Sequence, residues 1–324
     1  MRKSRLRLIL IPAAMLLCMA FALLLARPVE REKAASPKTI RIYSTFGPLY
    51  LLDEFILDDI PNTEHHLLVQ PQDGCFRAHT LSDWELYQLA YDADLIIGGG
   101  RGLESFESTL TALGEQNAAV VLLMSGMNLY NQEDNVENDE EAGHLRGANP
   151  HAYMSVKAAK ELLETLSDAM TALDPEYSHL YRKNLDAAEA LLDDLTKEMN
   201  DIAGDLDGKN VALLNEALVY PAQDLGLNIT AQIERESGVL LYENEMESCL
   251  DLLRQSGAEV VLIEKQAPQA MLNALREAGF SVAALDIFAD VRDGMSAQIY
   301  AERQLENAEC IKKAFENIEK EKNS

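Results

Sequence analysis

The chain has 324 residues, 48% of them apolar and 25% charged, which is enough to bury a core and long enough for two lobes of ordinary size. Lys and Arg number 28 against 54 Asp and Glu, a formal charge of -26. That balance excludes sequence-independent binding to nucleic acid, which is driven by cationic neutralisation of phosphates, and it favours cations as partners.

Arg2, Lys3, Arg5 and Arg7 precede an uncharged run from Leu8 to Ala26. Residues 1–27 therefore read as a signal peptide or a membrane anchor, and the remainder is expected outside the cytoplasm, secreted or held on the outer face of the cell membrane. Cleavage, anchoring and lipidation at Cys18 all stay open. A polar linker follows at 28–38. Cys75, Cys249 and Cys310 are too few and too widely spaced for a disulfide scaffold, although one pair among them is compatible with the sequence.

From Thr39 the chain alternates β-branched runs with amphipathic segments, the pattern of βα units around a mostly parallel sheet. Strands are predicted at Thr39–Thr45, His66–Gln70, Asp94–Gly99 and Ala119–Met124, with helices at "LYLLDEFIL" and "WELYQLAYD" between them. A second set is predicted at Asn210–Asn215, Ile229–Glu234, Glu259–Glu264 and Ser281–Asp286. Between the sets, Tyr181, Leu185, Ala188, Leu192, Leu195, Met199 and Ile202 form one apolar stripe along a single helix. The expected fold is α/β with two lobes, residues 39–175 and 209–324. Each carries a mostly parallel four-stranded sheet with flanking helices, and one long backbone helix within 176–208 joins them. The cleft at the carboxyl ends of the strands is the expected ligand site.

Several polar residues fall at those ends. His151 sits in "NPHAYMS" behind a rigid proline and ahead of a helix starting near Ser155, where it can cap, lie on the surface or ligate. Asn215 and Glu216 end one predicted strand and Asp286 another, and either carboxylate can cap a helix or bind a cation. Cys75 and His79 follow the second strand. An imidazole in one lobe facing carboxylates in the other suits a borderline or hard divalent ion. His65 and His66, placed at a strand start, carry no assigned chemistry, nor does His179. Trp84 and "YDADL" read as packing, as do Cys249 and Cys310. The "GGGRG" at Gly98 lacks the Lys and Ser/Thr of a phosphate loop and the dinucleotide fingerprint, and no serine nucleophile elbow is visible.

The order and spacing of "YSTFGPLYLLDEFI", "LSDWELYQLAYDADLIIGGGRGLESF", "NPHAYMSVKAAKELLETLSDAMTALDPEYSHLYRKNLDAAEALLDDL", "NEALVYPAQDLGLNITAQIERESG" and "VVLIEKQAPQAMLNALREAGFSVAALDIF" resemble the metal-binding solute receptors of zinc and manganese ABC importers. The resemblance covers residues 39–318. It implies a monomeric, non-enzymatic receptor that takes Zn²⁺ or Mn²⁺ in the cleft and hands it to an ABC permease. It also implies ligands. His151 matches the family's second histidine and Asp286 its carboxylate. The third histidine position holds Asn215, so that Glu216 replaces it, and the first falls at Cys75 or His79. Carboxylate in place of imidazole moves the preference toward Mn²⁺ or Fe²⁺, whereas a Cys75 thiolate moves it toward Zn²⁺. The acidic stretch 131–143 sits where zinc-binding members carry a His- and acid-rich loop, and it would concentrate cations or simply be solvated. Three alternatives remain: the same fold binding a chelate or organic solute without metal, a membrane-tethered metal-dependent hydrolase with Glu216 as general base, and a surface adhesion or scaffold protein.

Overall fold

The computed structural model describes residues 39–71, 79–115, 118–130, 148–233, 241 and 243–322. The expectations for residues 1–38, for Cys75 and for the acidic stretch 131–143 lie outside the described residues. In the first lobe the order is β1 (Ile40–Ser44), α1 (Gly47–Leu57), β2 (Thr63–Leu67), α2 (Asp83–Tyr87), β3 (Leu95–Gly98), α3 (Glu107–Gly114) and β4 (Ala119–Leu122). Two long helices follow, α4 (Val156–Leu173) and α5 (Ser178–Ala203). The second lobe repeats the theme with β5 (Asn210–Leu213), α6 (Val219–Asp224), β6 (Asn228–Gln232), α7 (Glu243–Ser256), β7 (Val260–Glu264), α8 (Gln269–Glu277), β8 (Ser281–Leu285) and α9 (Gln298–Lys322). The sheets share one topology, β2-β1-β3-β4 and β6-β5-β7-β8. Each neighbouring pair is parallel.

Parallel sheets are covered on both faces, and their alternating side chains divide accordingly. Ile42, Ile97, Val211 and Leu262 point into one contiguous core shared with α4, α5 and α9. Their neighbours Tyr43 and Ile96 face a separate cluster containing Phe106 and Leu110, while Ala212 and Val261 face one with Cys249 and Leu253. Helix α5, 26 residues long, spans about 40 Å at 1.5 Å per residue. Tyr181, Ala188, Leu192, Leu195 and Met199 form its buried stripe, and it packs against α1, α4 and α9. Asn184 on α5 donates to the carbonyls of Ile56 and Asp58, satisfying the end of α1.

Two local expectations change. The second strand pairs through Thr63–Leu67, with Ile42 opposite His65, rather than through His66–Gln70. Leu68 and Val69 are buried, so the apolar run marks burial that continues past the end of the strand. The predicted helix at "WELYQLAYD" is one α segment continued as a π-helical turn over Gln88–Asp92. Trp84 is 65% exposed and stacks on Tyr87, which meets Tyr91. These rings pack on each other at the surface and not in the core.

The lobes are stapled together beside "NPHAYMS". The Tyr300 hydroxyl on α9 donates to the carbonyls of Tyr153 and Ser155, and Gln304 donates to that of Met154. Asp224, at the end of α6, accepts from Ser155 Oγ and the Val156 amide, capping α4 from the other lobe. Burial holds the Asp224 carboxyl above its ordinary range against these donors and Lys157.

Candidate functional site

Because each sheet is parallel, the carboxyl ends of its strands share one edge, and the segments leaving those edges meet at "NPH" and "NEA". Asn149 Nδ2 donates to the Glu216 carbonyl at 2.8 Å, and the Tyr220 hydroxyl donates to the Asn149 carbonyl at 2.6 Å. With its amide nitrogen committed to Glu216, Asn149 turns Oδ1 toward His151, 2.7 Å from Nδ1. A carbonyl oxygen can only accept, so Nδ1 carries a proton and Nε2 is the ring nitrogen turned toward Glu216. That nitrogen stands 3.8 Å from Glu216 Oε1, with side-chain exposures of 11% and 31%. A neutral imidazole oriented through its second nitrogen is the form that ligates metals. Asn215 Oδ1 accepts from the Ala217 amide, capping the short turn that carries Glu216.

Asp286 follows β8 directly. Asn307 on α9 fixes its backbone in both directions, accepting from the Asp286 amide and donating to its carbonyl. Its Oδ1 accepts from the Phe288 amide at 2.7 Å and from Arg303 Nη1 at 3.4 Å, while Oδ2 is 3.5 Å from Lys265 Nζ. His79 precedes α2, its Nε2 lying 3.0 Å from Glu85 Oε1 and its ring edge-on to Phe106. Glu85 also completes the capping box with Ser82. Among the described residues no three His, Cys, Asp or Glu side chains form a group that could hold a metal ion. The structure thus pairs His151 with Glu216 and leaves Asp286 and His79 engaged with other partners.

Two further polar arrangements were not foreseen. His65 lies inside β2, its Nδ1 bonded to Glu54, its Nε2 2.6 Å from Ser44 Oγ and its ring stacked on Tyr50. Ser44 in turn donates to Asp53. A serine, an imidazole and a carboxylate in a row have the outline of a nucleophilic triad, but Ser44 is fully buried and presents no oxygen to a substrate. Burial, the largest influence, pushes the His65 pKa down and that of Asp53 well up. In the "GGGRG" loop, the amides of Gly99 and Gly100 and the Thr45 hydroxyl all donate to the buried carboxylate of Glu104. The loop is a nest filled by its own glutamate, which is why it does not serve a phosphate. Cys249 is buried, and Cys310 is a free thiol.

The family described as "Zinc-uptake complex component A periplasmic" matches residues 42–314. The zinc-binding lipoprotein AdcA of Streptococcus pneumoniae is 23% identical over 259 residues, covering 77% of this chain and 50% of AdcA. The chain spans about half the length of the curated relatives it matches. Among solved structures, the solute-binding protein FpvC of Pseudomonas aeruginosa in complex with Ni²⁺ superposes with a TM-score of 0.70 at 20% identity, covering 86% of this chain and 98% of FpvC. A ZnuA crystal structure gives 0.66 at 22%, covering 86% and 99%. These likenesses establish the fold: two lobes, each with a parallel four-stranded sheet, and a long connecting helix.

Proposed function

This chain belongs to the family of periplasmic zinc-uptake components, and we propose from that membership that it captures a divalent transition metal, Zn²⁺ or Mn²⁺, between its lobes and delivers it to an ABC permease outside the cytoplasm. The observation that carries the reading is the His151–Glu216 pair, an imidazole held through Nδ1 with its Nε2 facing a carboxylate from the other lobe. His151, Glu216 and Asp286 are the proposed ligands, with Cys75 or His79 adding one from the first lobe. The mixed set of nitrogen and oxygen donors suits a borderline or hard divalent ion.

The lobes are assigned to residues 39–175 and 209–324, with 176–208 as the connector and 1–27 as the segment that exports or tethers a monomeric receptor. Binding and release are its whole task, with no catalytic step. The staples from Tyr300, Gln304 and Asp224 support capture by side-chain adjustment more than by wide closure of the lobes, because they tie the His151 turn to the second lobe. Elemental analysis of the protein after equilibration with Zn²⁺ or Mn²⁺ and gel filtration tests the proposal. One retained equivalent supports it, and no retained ion of either kind overturns it.

A further inference from the structure

Asp286 is the proposed ligand with the most crowded surroundings, and its neighbours are cations. Lys265, just past β7, reaches Oδ2 at 3.5 Å, and Arg303 on α9 reaches Oδ1 at 3.4 Å. Each cation also has a second carboxylate. Lys265 Nζ is 3.5 Å from Glu306 Oε2, and Arg303 Nη1 is 2.6 Å from Asp290 Oδ1. The contacts to Asp286 are both beyond ordinary hydrogen-bond length, whereas Arg303 to Asp290 is a full charge-assisted bond. The guanidinium also lies over the Phe288 ring at 5.9 Å, which fixes its position.

We propose that Lys265 and Arg303 are specificity-determining counter-cations: they hold the Asp286 carboxylate until a divalent cation displaces them, and are then retained by Glu306 and Asp290. This rests on the reading that Asp286 ligates the cargo. Five charged groups take part, and the exchange strands none of them, since each displaced cation already has its alternative partner within reach. Displacement sets a threshold. A monovalent ion brings no more charge than the side chain it must replace. Mg²⁺ and Ca²⁺ bring two charges but gain little from the His151 imidazole, because they prefer oxygen. A borderline transition metal gains the charge and the nitrogen together. Lys265, with 43% side-chain exposure against 14% for Arg303, is the more easily released of the two. One elementary charge beside a bound divalent ion is worth about tenfold in affinity under near-aqueous screening.

The test is calorimetric titration of the metal-stripped full chain with Zn²⁺ and, separately, Ca²⁺, using Lys265→Met, Glu306→Gln and Asp286→Asn, with circular dichroism to confirm folding and Lys265→Gln as a second variant. Lys265→Met should bind Zn²⁺ about tenfold more tightly and show a narrower preference for Zn²⁺ over Ca²⁺. Glu306→Gln should bind Zn²⁺ several-fold more weakly, because the ammonium loses its alternative partner. The gain from Lys265→Met should vanish in an Asp286→Asn background. Unchanged or weaker Zn²⁺ binding by both folded Lys265 variants, with Asp286→Asn still impaired, overturns the counter-cation role alone. Zn²⁺ binding that is indifferent to Asp286→Asn overturns the ligand assignment on which the proposal rests.

Discussion

His151 Nε2 stands 3.8 Å from Glu216 Oε1, and these two residues come from different lobes and from segments that leave different sheets. One asparagine sets the relationship: Asn149 holds the Glu216 carbonyl with its amide nitrogen and the imidazole with its oxygen. Replacing it loosens both partners without removing a proposed ligand. Asn149→Ala should therefore weaken Zn²⁺ binding about 10- to 100-fold, the usual effect of losing the group that orients a ligating histidine. Titration of a folded variant checks it. Asn149→Asp, which still accepts from the imidazole, should retain more affinity than the alanine variant.

The buried row Glu54–His65–Ser44–Asp53 predicts a pH effect on stability with no bearing on binding. Burial lowers the His65 pKa in the folded protein, while in the unfolded chain it titrates at about 6.5. Below that pH the unfolded state binds the extra proton, so the stability held at neutral pH is lost as pH falls from about 6.5 toward the folded-state value. His65→Gln should remove this part of the slope. Urea midpoints at pH 5.5 and 7.5 for both proteins would show it, and an identical pH difference in the variant would contradict it.

Close packing between the lobes gives a second stability prediction. A methyl group added at Gly47 would lie 2.8 Å from Val291 Cβ, in the loop whose Asp293 accepts from the Leu67 amide and whose Gly294 donates to the Tyr50 hydroxyl. Gly47→Ala should cost about 1–3 kcal/mol by overpacking. Thermal unfolding should show partial recovery when Val291→Ala is added, a non-additivity expected of residues in contact.

The topology and the line of strand ends were legible because parallel strands buried on both faces leave continuous apolar runs, so Asp286 after "SVAAL" and Glu216 after "NVALLN" could be placed on an edge before any contact was known. The long helix declared itself through the stripe from Tyr181 to Met199. Other features were hidden for physical reasons. His65 falls in β2 because the ladder with β1 selects Thr63–Leu67 over the more apolar run beyond it. Lys265 and Arg303 belong to separate elements, and nothing local to either marks them as partners of Asp286. Trp84 stacks on Tyr87, and Tyr87 meets Tyr91 on the π-helical turn that follows, an irregularity that residue spacing does not announce.

The carboxylate-rich stretch 131–143 gives a kinetic prediction. Fixed negative charge near a cation site raises the local cation concentration and speeds association, and the effect fades as salt screens it. Deleting Gln132–Glu141 should slow Zn²⁺ loading at low ionic strength and flatten its salt dependence in stopped-flow competition with a chromogenic chelator. Equal loading rates across that salt range would contradict the steering role.

Capture of a metal at the His151–Glu216 junction is tested most directly by calorimetric titration of the metal-stripped protein with Zn²⁺ and Mn²⁺, comparing the natural chain with His151→Ala. The expected result is one saturable site in the natural chain that is lost, or weakened at least about 100-fold, in the variant. Equal affinity in both proteins, or no saturable binding of either ion to the natural chain, would contradict it.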